Sequence, residues 1–160
     1  MDSQLFELIK NTYTAQEKAY APYSNFHVGA SIMIKNPESG IIKYVNGSNV
    51  ENASYGGAIC AERTAFVKAV SEGLRTNFVK VGVVGGENTE GFVSPCGICR
   101  QFMREFVDPK DLEIVMCRSR TTEEKKDYTF EFITKYKEGE DYIVKTLEEL
   151  LPLSFGPDDL

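Results

Sequence analysis

The sequence predicts an α/β domain, a sheet covered by helices. Runs of apolar residues switch along the chain between a period of two and a helical period, and strand-like and helix-like runs alternate, as expected where helices pack on a sheet. Two cysteine-bearing segments each open a helix-like run. The 160 residues are 42% hydrophobic and 26% charged, ordinary globular usage with no biased tract. A chain of this length fits one domain, residues 1–160, able to bury roughly two-thirds of its unfolded surface without disulfides.

From the N-terminus, Leu5, Leu8, Ile9 and Tyr13 recur at helical spacing, predicting a first helix over residues 3–19 with Ser3 as its N-cap. Ala21-Pro22-Tyr23-Ser24-Asn25 breaks it. Residues 26–34 alternate with Val28, Ala30, Ile32 and Ile34 on one side, and Asn36-Pro37-Glu38-Ser39-Gly40 turns the chain into a second strand over 41–45, an antiparallel hairpin. Residues 47–57 have no clear period. Residues 61–70 read as a helix with Ala65, Phe66 and Ala69 inward, and residues 78–84 as an apolar, β-branched strand. A loop over 85–91 and a helix over 97–106 follow, then a strand over 112–117 and two further strands over 128–134 and 142–145. Thr146-Leu147-Glu148-Glu149 is a capping box that opens a short last helix.

The formal net charge is −6, so the surface on average repels a phosphate backbone and a polymeric nucleic-acid partner is not expected. No apolar stretch approaches membrane-spanning length, and Asp2, Ser3 and Gln4 follow Met1 where a leader would place basic residues. A cytoplasmic protein without membrane contact is expected. In that setting the four cysteines point to metal or redox chemistry rather than disulfides.

Pro95-Cys96-Gly97-Ile98-Cys99 is a C-x-x-C unit. By itself it fits half of a structural zinc site, a redox pair or a catalytic metal site equally well. Upstream, Cys60-Ala61-Glu62 adds a third sulfur and a carboxylate two residues beyond it. Three cysteines, an adjoining glutamate and two helix starts make the layout of a deaminase zinc site, in which a fourth position stays open for water. Three thiolates on a dication leave negative charge, which the positive helix ends would offset. Arg63 and Arg100, each near a cysteine in sequence, are expected to add to that compensation. Glu62 is the expected proton carrier. Cys117 follows Ile114, Val115 and Met116 in a strand and is expected as a buried free thiol. The alternative makes it the fourth ligand of a structural zinc. His27, the sole histidine, is expected to be structural or at the surface. Gly82, Gly85 and Gly86 lack the spacing of a dinucleotide or phosphate-loop fingerprint.

Five segments together resemble a known family: Ala21-Pro22-Tyr23-Ser24 with Phe26-His27-Val28-Gly29-Ala30, Asn49-Val50-Glu51-Asn52-Ala53-Ser54-Tyr55, Ile59-Cys60-Ala61-Glu62-Arg63-Thr64-Ala65, Pro95-Cys96-Gly97-Ile98-Cys99-Arg100-Gln101 and Leu150-Leu151-Pro152-Leu153-Ser154-Phe155-Gly156-Pro157. In this the chain resembles the small homotetrameric, zinc-dependent cytidine deaminases. The resemblance implies a three-layer α/β/α fold around a central mixed five-stranded sheet. It also implies one zinc per subunit on Cys60, Cys96 and Cys99, catalysis by Glu62, and charge compensation by Arg63. Phe26, Asn49, Glu51 and Ala61 would contact the nucleoside, with Phe26 on the pyrimidine ring and Asn49 and Glu51 on the ribose. Ala53, Tyr55 and Phe155 would come from neighbouring subunits. The implied reaction is deamination of cytidine and deoxycytidine to uridine and deoxyuridine in pyrimidine salvage. A deaminase of a modified nucleoside would share the zinc motifs. Two departures stand out: Gly56-Gly57-Ala58 replaces bulkier residues, and residues 119–141 are longer and more charged than the usual hairpin, an addition expected on the surface.

Overall fold

The computed structural model describes residues 1–87 and 91–160; the middle of the expected 85–91 loop lies outside the described residues. Five strands form one mixed sheet: β1 (Val28–Lys35), β2 (Ile42–Ser48), β3 (Phe78–Gly85), β4 (Glu113–Cys117) and β5 (Tyr142–Thr146), in the order β2-β1-β3-β4-β5. β1 is antiparallel to both β2 and β3, β3 and β4 are parallel, and β4 and β5 are antiparallel. Helix α1 (Ser3–Gln16) covers one face, where Leu8, Ile9 and Tyr13 pack on Met33, Val84 and Val115. Helices α2 (Ala61–Ser71) and α3 (Gly97–Arg104) cover the other, with Phe66 and Met103 against Ile32, Val81 and Ile114. The three-layer expectation therefore holds.

The α2 and α3 side is welded by aromatic rings. Phe66 lies 5.0 Å from Phe78 and 5.9 Å from Phe106, and Phe102 is 5.5 Å from Phe106. Offset and edge-on aromatic pairs add about 0.5–1.5 kcal/mol beyond the area they bury. Glycine lets helix backbones reach the sheet. A Cβ on Gly29 would stand 2.3 Å from Gln16 N and Thr12 O in α1, and one on Gly47 2.3 Å from Ala61 O in α2.

Several boundaries differ from expectation. Asp2 rather than Ser3 caps α1, its Oδ1 accepting from Gln4 N at 3.0 Å. The helix ends at Gln16, because Tyr20 N donates to Asn49 O and draws the chain into bridging contact with residue 50. Residues 128–134 form no strand. Phe130 takes a left-handed conformation (φ 61) and Glu131–Lys135 coil into a 3-10 helix. The 119–141 addition is not purely a surface feature either: Phe130, Ile133 and Tyr136 are buried in the α1-side core. The expected capping box opens α4 (Leu147–Leu150), with Glu149 N donating to Thr146 Oγ1 at 3.1 Å and Thr146 N to Glu149 Oε2 at 2.8 Å.

Candidate active site

The topology brings four chain segments to one end of the sheet. β1 starts where β2 and β3 finish, since Gly29 faces Ser48 and Val28 faces Gly85. Phe26 therefore precedes β1, Asn49 and Glu51 follow β2, and the helices that return after β2 and β3 begin near one another. Cys60 and Cys96 are the N-caps of α2 and α3, both extended (ψ 155 and 163), with side chains that make no capping bond. An N-cap is normally a short oxygen-bearing side chain that satisfies the first N–H groups; here sulfur occupies both positions and faces the other helix.

Cys60 Sγ lies 3.8 Å from Cys96 Sγ, and with Cys99 the three sulfurs fall within 4.8 Å of one another. Two sulfurs held by a tetrahedral zinc at about 2.3 Å each stand about 3.8 Å apart, so the donor set fits that ion. Arg63 Nη2 donates to Cys60 Sγ at 3.6 Å. Bonds from the Cys99 thiol and then from Arg63 and Cys96 outweigh burial and bring the Cys60 thiol down to about 5, while Cys99, the donor in the pair and buried, is pushed up. Glu62 is 4% exposed beside them, and burial first, then the Cys60 charge, raises its carboxyl.

A cleft of about 680 Å³ opens over this cluster, lined among others by Phe26, Asn49, Glu51, Cys60, Glu62 and Cys96. Its size suits a small organic ligand. Residues 2–116 match the family described as the cytidine and deoxycytidylate deaminase zinc-binding region. The chain belongs to the cytidine and deoxycytidylate deaminase family. A cytidine deaminase of Halalkalibacterium halodurans is 46% identical over 116 residues, which cover 72% of this chain and 80% of that one. One from Sporosarcina psychrophila is 50% identical over 100 residues, 62% of this chain and 68% of the relative. The crystal structure of cytidine deaminase from Burkholderia pseudomallei has a TM-score of 0.72 at 40% identity, covering 97% of this chain and all (100%) of that one.

Within this deaminase fold the residues named from sequence separate by position. Cys60, Cys96, Cys99, Glu62, Ala61, Phe26, Asn49 and Glu51 gather at the cleft or its floor. Tyr55, expected to serve a neighbouring subunit, lines the cleft of its own chain while 77% exposed, its ring 6.0 Å from Tyr23. Ala53 and Phe155 are exposed and are not among the residues that line the cleft. Gln101 holds the Phe155 carbonyl at 2.9 Å, and the buried Arg104 reaches Ser154 and Asp158, so the tail is clamped to α3. Arg100 departs from expectation. Its guanidinium donates to Pro95 O, Ser94 Oγ and Leu150 O, bracing the loop before α3 instead of compensating the sulfurs.

Asn49 and Glu51 also have neighbours the sequence did not announce. Asn49 Oδ1 accepts from Val28 N at 2.7 Å and Nδ2 donates to Phe26 O at 2.8 Å. Glu51 accepts from Tyr23 N at 2.8 Å, from Ser24 N at 3.2 Å and from the Ser24 hydroxyl. Ser24 and Val93 line the cleft and were not singled out from sequence. The position of Ser24 inside the Ala21-Pro22-Tyr23-Ser24 motif was the available signal.

Proposed function

We propose that this chain hydrolyses cytidine and deoxycytidine to uridine and deoxyuridine with release of ammonia, as a cytoplasmic pyrimidine-salvage enzyme. One observation carries the proposal: three sulfurs converge at zinc-binding distances beside the buried Glu62 carboxyl, under a cleft of nucleoside size. Cys60, Cys96 and Cys99 would hold the zinc. When bound, the ion supplies Lewis acidity that lets water lose a proton near neutral pH. Glu62 accepts that proton, delivers it to the pyrimidine ring nitrogen as water attacks the amino-bearing carbon, and then assists departure of ammonia. The water oxygen ends as the carbonyl of uridine. Arg63, bonded to Cys60 Sγ, offsets the sulfur charge.

Phe26 packs on the pyrimidine, Ala61 contacts the nucleoside, and Asn49 and Glu51 take the ribose hydroxyls. A free base lacks those hydroxyls and forgoes these bonds, so the nucleoside is preferred over it. Self-association as a tetramer, with Ala53, Tyr55 and Phe155 presented to neighbouring copies, agrees with the exposure of all three side chains. Ammonia release, zinc content and sedimentation measured on one sample, beside Glu62→Gln, test the reading. The expected Glu62→Gln protein is a zinc-loaded tetramer with turnover lowered at least about a hundredfold. Normal turnover by that variant overturns the reading.

A further inference from the structure

We infer that Ser24 is a positioning residue for the aromatic wall of the site, its hydroxyl linking the Glu51 carboxylate to the backbone of Phe26. The inference rests on the proposed packing of Phe26 against the pyrimidine and adds how that ring is kept in place.

The chain before β1 is short of regular structure. Asn25 sits in the left-handed region (φ 55), a conformation uncommon for a residue with a side chain although asparagine accepts it more readily than most. Such a kink needs bonds on both sides to persist. Ser24 Oγ accepts from Phe26 N at 3.0 Å, spanning Asn25, and the same hydroxyl bonds Glu51. An ionised carboxylate only accepts, so the serine proton points to Glu51 and the oxygen lone pair to the Phe26 N–H. The proton order is thereby unique. The Ser24 hydroxyl bond and then the two backbone N–H groups hold the Glu51 carboxyl below its usual range, consistent with an ionised acceptor.

The other side of Phe26 is closed by Asn49 and Gln16. Asn49 grips the Phe26 carbonyl and the Val28 N–H, and Gln16 Nε2 donates to His27 O at 3.1 Å. The ring itself rests over Gly85: a Cβ there would come within 3.2 Å of Phe26 Cε1 and 3.0 Å of Val93 Cγ1. Asn49 and Glu51 thus do two things at once. They stand in the cleft where the sugar would lie, and they pin the segment carrying the ring. Glu51 has about four lone-pair directions, three of them taken by residues 23 and 24, which leaves one for a sugar hydroxyl. Ser24 is the connection that transmits the position of Glu51 to Phe26.

The test is a double-mutant cycle on the zinc-loaded enzyme. Ser24→Ala is expected to raise KM for cytidine about three- to tenfold with kcat within about twofold, at unchanged zinc content. Ser24→Thr, which keeps the hydroxyl at an exposed position, restores KM. In a Phe26→Ala background the Ser24→Ala change adds no further increase, because the ring it positions is gone. Cytidine affinity measured calorimetrically on the non-turning Glu62→Gln protein is expected to weaken by the same factor on adding Ser24→Ala. An unchanged KM for Ser24→Ala, or an equal increase with and without the Phe26 ring, overturns the role of Ser24 while leaving the ring-packing reading intact. If Phe26→Ala alone leaves KM unchanged, the ring-packing reading fails and the Ser24 role fails with it.

Discussion

Cys99 and Cys117 are both buried, at 0% and 1% exposure, yet they belong to cores on opposite faces of the sheet. Cys99 lies with the other two sulfurs, whereas burial pushes the Cys117 thiol up to about 12. Strand alternation already separates Met116 from Cys117, and the structure places Met116 on the α2 and α3 side and Cys117 on the α1 side. A fourth-ligand role is therefore out of reach. Cys117→Ala is expected to keep full zinc stoichiometry and to lower stability by about 1–2 kcal/mol through the small void it leaves; metal analysis and a denaturant melt check it. The two arginines near the cysteines show what sequence adjacency misses. Arg63, three residues beyond the N-cap Cys60, bonds that sulfur, whereas Arg100 stands four residues beyond the N-cap Cys96, an equally helical spacing. It finds carbonyls instead.

At the scale of elements, the site depends on how closely α2 lies on β2. Gly47 is the point of closest approach, with Ala61 O and Ala65 N at 2.3 and 2.4 Å from the position of an added Cβ. Gly47→Ala is expected to lift the first turn of α2, lowering stability by about 1–3 kcal/mol and zinc retention with it. Gly56→Ala, with nothing within 4 Å of its added Cβ, serves as the matched control; comparable zinc loss in both variants would sink the argument. The segment 128–134 illustrates the opposite difficulty. Tyr128, Phe130 and Phe132 alternate as a strand would, but the buried residues are Phe130, Ile133 and Tyr136, spaced by three as in a 3-10 helix. Asp127 Oδ1 captures Thr129 N and Oγ1, and Phe130 turns left-handed directly after. Alternation favoured the wrong element because burial at every third residue, rather than pleat, decides this stretch.

Across the whole molecule, the Arg118 guanidinium, directly after β4, cross-links residues 118–141. Arg118 donates to both Glu124 oxygens and to Asp141 Oδ1, each at 2.8 Å, and lies 4.7 Å from the centre of the Tyr136 ring. Burial by itself would raise the Glu124 carboxyl, but the bonds from Arg118 and from Thr121 N outweigh it and the net shift is downward. A carboxyl lowered by folding contributes stability that is fully present above its unfolded value, near 4.5, and is lost as pH falls through the lower folded value. Acid melts should thus show a decline below that pH that is shallower in Arg118→Met, whose stability at neutral pH is already reduced; parallel curves would contradict the assignment. The sequence alone settled the α/β class, the hairpin, the two helix starts and the identity of the clustered cysteines, because period, turn chemistry and motif spacing are local properties. Only the tertiary structure decided that the start of β1 and the ends of β2 and β3 share one edge, so that Phe26, Asn49, Glu51 and three sulfurs meet. It alone also revealed that Asn49 and Glu51 grip the backbone around Phe26. Strand order and hydrogen-bond partners far apart in the chain are set by which faces bury one another, and no local spacing encodes that.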